Sequence, residues 1–143
     1  MAVVNLYLNF DGTTEEAFKF YQSAFGGDFS DVTRFEDTPT IQNLPPSARG
    51  KLTHISMPLG ENLVLHGTDA LESMGHPLVV GNNFSIMIEP KSKEEANHFF
   101  NKLSAGGKIE MPLQDAFWGG YYGSLFDPFG IRWMVNYTDP QPK

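Results

Sequence analysis

The sequence predicts an α+β fold: two paired βαβββ modules whose strands form a curved, open mixed sheet with a central groove. Three observations predict it. The stretch "EEAFKFYQSAFGG" at residues 15–27 is nearly rewritten as "EEANHFFNKLSAGG" at residues 94–107. Each copy follows a run of alternating polarity, at residues 4–10 and 83–89. Each is followed in turn by three further strand-like runs. One such module cannot cover both faces of its own sheet, so a second copy completes the fold. Residues 1–143 are read as a single domain, with modules at 1–67 and 82–138.

In chain order, Val4 to Phe10 has the two-residue period of a half-buried strand. Asp11-Gly12 turns the chain, and Thr13 or Thr14 can cap a helix with two Glu in its first turn. Ala17, Phe20, Tyr21 and Ala24 form the expected buried stripe, and Gly26-Gly27 ends the helix. A strand is expected at Phe29 to Phe35, then a loop without period from Asp37 to Gly50. A hairpin of Lys51 to Pro58 and Asn62 to His66 closes the first module. A second loop, Thr68 to Gly81, follows; His76 in it is expected to be exposed.

The second module repeats the order: Asn83 to Glu89, a helix starting near Ser92, and a strand from Lys108 to Leu113. Two strands follow, Tyr121 to Phe126 and Ile131 to Tyr137, turning at Asp127-Pro128-Phe129-Gly130. Pro at the second turn position and Gly at the fourth suit that turn.

Composition bounds the function. The chain of 143 residues with 12 Phe is long enough for a sizeable core, and its 10 Pro and 14 Gly suit short elements joined by turns. A net charge of −7 argues against nucleic acid, whose phosphates need a basic surface. No apolar run approaches the roughly 18 residues of a membrane span. The N-terminus lacks a cationic stretch ahead of an apolar one, so no signal peptide is expected. Zero Cys removes disulfides, thiolate ligands and a cysteine nucleophile, and suits the reducing cytoplasm expected for this protein.

Leu8-Asn9-Phe10-Asp11-Gly12, Glu16-Ala17 with Phe20-Tyr21, Phe25-Gly26-Gly27, Gly106-Gly107-Lys108, Met111-Pro112-Leu113-Gln114 and "FWGGYYGSLFDPFGIRW" at residues 117–133 cover most of the chain. On these stretches the sequence resembles the vicinal oxygen chelate superfamily, and within it the PhnB-like branch. That superfamily includes glyoxalase I, bleomycin-resistance proteins, fosfomycin-resistance enzymes and extradiol dioxygenases. The departure is near the fourth strand, where His66-Gly67-Thr68-Asp69 replaces the branch's usual Ser-Asp. Members of the branch often carry a ubiquinone-pathway methyltransferase label. Nothing here resembles a Gly-rich loop that would hold S-adenosylmethionine.

The resemblance implies a metal position on the first, fourth, fifth and eighth strands, where relatives use His, Glu or Gln to chelate substrate oxygens. With Leu6, Leu8 and Phe10 facing the helix, the equivalent set is Asn5, Val64, Asn83 and Met134. It has no imidazole, thiolate or carboxylate, so the ancestral metal is expected to be absent and no cofactor is predicted. A divalent metal at another place is the alternative: His54 and His66, on adjacent strands and one face, with Asp69 or Glu89 as third ligand.

The expected ligand-binding set is Asn5, Tyr7, His54, His66, Asn83, Trp118, Arg132 and Met134, with His54 the candidate acid–base. Trp133 alternates away from Arg132 and Met134 and is read as core. Glu110, Gln114 and Asp115 are acidic or amide groups read as solvated, and His98 as a helix-surface residue. Three function readings follow: a metal-independent small-molecule-binding protein; a lyase, isomerase or dioxygenase-type enzyme using His54 and His66, with or without metal; and a protein-association domain. A homodimer is expected, because relatives wall their groove with a second subunit and sheet edges invite pairing.

Overall fold

The computed structural model describes residues 2–75 and 77–140, so His76 lies outside the described residues. In chain order the elements are β1 (Leu6–Phe10), α1 (Thr14–Phe25), β2 (Asp31–Arg34), β3 (Leu52–Leu59) and β4 (Leu63–Asp69). Then come β5 (Ile86–Ile88), α2 (Lys93–Ser104), β6 (Lys108–Asp115), β7 (Gly120–Phe126) and β8 (Arg132–Thr138). The two βαβββ modules are therefore present, and the class is α+β. Each builds its own four-stranded mixed sheet, in the orders β1-β4-β3-β2 and β5-β8-β7-β6. In both, the first strand runs parallel to the last and the other pairs are antiparallel. The chain divides into two compact units, Met1–Val79 and Val80–Lys143.

In the first unit, α1 buries Thr14, Ala17, Phe18, Tyr21 and Ala24. Phe18, fully buried, takes the place the sequence reading gave to Phe20, which is only half-buried. Gly67 on β4 is the reason. A Cβ there would lie 2.5 Å from Phe18 Cε1, so the absent side chain is what admits the Phe18 ring. Below the helix lie Leu8, Phe10, Ile55, Met57 and Leu65, the apolar halves of three alternating strands.

Neither Thr13 nor Thr14 caps α1 by its own side chain in the usual way. The carboxylate of Asp69, from the end of β4, accepts from Thr14 N (3.0 Å) and Thr14 Oγ1 (2.7 Å) with one oxygen, and from Leu52 N (2.8 Å) with the other. A buried Asp thus ties helix, β3 and β4 together. The segment read as a loop without period is folded into three short 3-10 turns, Phe35–Asp37, Pro39–Asn43 and Pro46–Ala48. Phe35, Ala48 and Leu71 form a small core with Ile41, Leu44 and Met74 packed on it. Turns of this tightness leave no hydrophobic period to read.

The second unit follows the expected pattern more closely. Ser92 caps α2, its Oγ accepting from Glu95 N at 3.0 Å, while Glu95 Oε1 accepts from Lys91 N at 2.9 Å. Ala96, Phe100 and Leu103 are buried. In both helices the Ala and the second aromatic of the repeated pair point inward, Ala17 with Tyr21 and Ala96 with Phe100. The turn at Asp127 closes with Gly130 N donating to Asp127 O at 3.1 Å. The Asp127 carboxylate accepts from Phe129 N, Ile131 N and Trp133 Nε1, which fixes the fully buried Trp133 as core.

Candidate functional site

The face of the first sheet turned away from α1 carries the polar alternates of its strands. Register sets Tyr7 opposite His66, His66 opposite Ser56, and Ser56 opposite Asp31, one side chain from each strand in a single row. His54 sits opposite Thr33 on the same face, displaced by one strand repeat. The row brings three of the expected residues together, Tyr7, His54 and His66, and adds one that the sequence reading missed.

That residue is Asp31. Its Oδ2 lies 2.6 Å from His54 Nδ1, and His54 Nε2 lies 2.9 Å from His66 Nδ1. Tyr7 stacks on His66 with ring centroids 5.5 Å apart and planes 10° from parallel. Tyr7 is half-exposed, at 52%, so the row is open on this side of the sheet. The His54 hydrogen bond, with a second from Thr33, holds the Asp31 carboxyl below its ordinary range and keeps it an acceptor. Burial raises the Tyr7 phenol, which stays neutral. Only the β2–β3 register places Asp31 beside His54, and register is not written in local sequence. The alternation of Asp31 and Thr33 around Val32 was the one available signal.

A cavity of about 640 Å³ lies along the first unit, lined by Asn9, Phe35, Thr68, Met74, Pro77 and Leu78 among others. Asn9 and Thr68 pair across β1 and β4 one strand repeat beyond Tyr7 and His66, on the same face. Its mix of polar side chains, Asn9, Thr53, Thr68 and Asp69, with apolar ones is what small organic ligands use.

The metal alternative of His54, His66 and Asp69 does not form. Alternation along β4 sends Asp69 to the α1 side, where its oxygens are taken by Thr14 and Leu52. The two imidazoles turn their nitrogens toward each other rather than toward a common point. Glu89 is exposed, just past the end of β5. Among the described residues no group of three or more His, Asp or Glu has the spacing of a metal centre. The chelating positions implied by the resemblance are Asn5, Val64, Asn83 and Met134. In the first unit Asn5 spends its Oδ1 on Val64 N at 2.9 Å, and Val64 has no donor atom to offer. In the second, β5 is shorter than expected, so Asn83 lies ahead of the strand and exposed, and Met134 brings a thioether between Met87 and Ser124.

The second unit's remaining candidates are differently employed. Arg132 is held by Glu110, with Nε and Nη2 on Oε1 at 2.9 and 2.8 Å, and donates to Ser85 Oγ at 3.0 Å. Ser124 Oγ also donates to Glu110 Oε1, at 2.8 Å. Arg132 first and Ser124 second hold the Glu110 carboxyl below its ordinary range, and it accepts from both. Trp118 is half-exposed and meets Tyr122 edge-on at 6.0 Å. Asn136, which alternation sets beside Arg132 and Met134 on β8, keeps a buried Oδ1 that accepts no hydrogen bond among the described residues.

The chain is similar over its whole length to known proteins. Protein PA1353 from Pseudomonas aeruginosa superposes with a TM-score of 0.85 at 32% identity, covering 97% of this chain and 99% of that one. A Bacillus cereus PhnB protein, described as a putative 3-demethylubiquinone-9 3-methyltransferase, superposes at 0.78 with 24% identity, covering 94% and 98%. Protein YjdN of Escherichia coli is 29% identical, with 95% of each chain covered. No helix among the described residues is long and apolar enough to cross a membrane. The model of the Glyoxalase/Bleomycin resistance protein/Dioxygenase superfamily matches residues 4–135, and the chain belongs to that superfamily.

Proposed function

We propose that the protein binds a small molecule on the face of its first sheet opposite α1, without a metal at the superfamily's chelating positions. One observation carries this reading: the Asp31–His54–His66 chain, hydrogen-bonded at 2.6 and 2.9 Å and open beside a half-exposed Tyr7. Three polar groups strung together on an exposed face do little for stability, since exposed pairs contribute about 0–1 kcal/mol. They do pre-orient a hydrogen-bonding edge for a ligand. The neighbouring cavity supplies apolar surface for the rest of the molecule. In this reading the protein works in the cytoplasm as a homodimer.

The same chain favours a second reading, a metal-free isomerase or lyase. A carboxylate fixing one imidazole, which fixes another, is an arrangement suited to moving a proton at neutral pH. Native mass spectrometry of untagged protein purified without chelator tests both. A small molecule that copurifies with the wild type and is lost from His66→Ala supports the proposal. One stoichiometric divalent metal per chain overturns it.

A further inference from the structure

The groups that titrate or carry charge on this face come one from each strand: Tyr7 (β1), Asp31 (β2), His54 (β3) and His66 (β4). With both imidazoles neutral, their contacts fix where the protons lie. Asp31 Oδ2, a carboxylate oxygen, can only accept, so His54 carries its proton on Nδ1. A neutral imidazole protonated at Nδ1 has its lone pair at Nε2. That lone pair faces His66 Nδ1, which must then be the donor. His66 is left with a lone pair at Nε2, and among the described residues nothing donates to it.

From this we infer that His66 Nε2, rather than His54, is the atom that exchanges a proton with the ligand, and that the charge it takes up comes to rest on His54. The inference deepens the binding reading above and rests on it. The ligand class follows: a molecule offering a weakly acidic O–H or C–H, since a lone pair cannot hold an anion that has no proton to give. In the transfer the ligand's bond to hydrogen breaks and its electron pair stays on the ligand. An N–H bond forms at His66 Nε2, and the proton on His66 Nδ1 passes to His54 Nε2. His54 becomes an imidazolium with its Nδ1–H still on Asp31. His66 ends neutral with its tautomer reversed, and its new Nε2–H donates to the anion it created. Asp31 and His54 are positioning residues: the first sets the tautomer of the second, and the pair stores the charge.

Nitrogen-15 NMR of the histidine rings in the full, ligand-free chain tests this, with acid supplying the proton. Before uptake, His66 is expected to show a protonated Nδ1 and a bare Nε2. After the first proton enters, His66 should show the reverse pattern, and His54 should be protonated at both nitrogens. In Asp31→Asn the reversal should disappear, while the backbone amide spectrum confirms an intact sheet. The inference is overturned if His66 already carries its proton on Nε2 in the neutral array. It is overturned equally if His66 becomes the doubly protonated ring, or if Asp31→Asn titrates like the wild type. Loss of the copurifying ligand from His66→Ala together with any of those spectra would leave the binding reading standing and the relay wrong.

Discussion

His54 carries both the expectation drawn from the sequence and the change the structure makes to it. It is partly exposed, with hydrogen bonds at both ring nitrogens and no place in the core under α1. His54→Ala should therefore lower thermal stability little, by about 0.5 kcal/mol or less, as surface changes do. It should weaken ligand binding by about 1–3 kcal/mol, because without His54 to hold the proton the ligand's hydrogen bond at His66 Nε2 is no longer charge-assisted. Paired melting and binding measurements decide it: a large drop in melting temperature with binding intact would make His54 a structural residue. At this scale the two imidazoles were legible in the sequence, because alternation from Ile55 and Leu65 fixed their face. Asp31 was not, and neither was the diversion of Asp69 to capping α1, because both depend on distances between strands.

At the scale of elements, the repeat made the order of strands and helices legible, and the misreadings have a common cause. Phe18 displaced Phe20 from the helix stripe because Gly67 on another strand opens the space. Gly67→Ala puts a Cβ 2.5 Å from Phe18 Cε1 and 3.0 Å from Thr14 Cγ2. It should destabilise the first unit by about 1–3 kcal/mol in urea unfolding, the usual cost of overpacking. A neutral outcome would mean that α1 is free to shift off the sheet. A second link between α1 and the strands is the fork of Arg34 on both oxygens of Glu15, at 2.9 and 2.7 Å. Arg34 first, by this hydrogen bond, holds the Glu15 carboxyl below its ordinary 4.5. A group whose folded value is depressed gives stability that is present above the unfolded value and lost as pH falls through the folded one. Glu15→Gln should therefore cost about 0.5 kcal/mol at neutral pH, the pair being partly exposed and screened by solvent. The difference from wild type should close on acidification below 4.5. A gap that stays constant down to about pH 2.5 would show that the loss is not electrostatic.

At the scale of the whole molecule, each sheet has two edge strands among the described residues: β1 and β2 in one, β5 and β6 in the other. The edge strand β6 also exposes Ile109 and Met111, at 51% and 47%. Apolar edges of this kind are pairing surfaces unless covered. Light scattering at micromolar concentration is expected to give the mass of a dimer, and Ile109→Glu with Met111→Glu to reduce it to a monomer. A monomer mass for the wild type would remove the dimer. One further consequence belongs to the parallel pairs that close each sheet, Leu6 on Leu65 and Ile86 on Trp133. These are the most distant pairings along the chain in their respective units, and the loops they close are of similar length. Loop entropy grows only logarithmically, by about 0.6 kcal/mol per doubling, so the search cost is nearly equal for both halves. The closing pairs themselves therefore give neither half a head start in folding. The local nuclei are the hairpins, β3–β4 in the first unit and β6–β7 with β7–β8 in the second, and each slow parallel closure is expected to follow them.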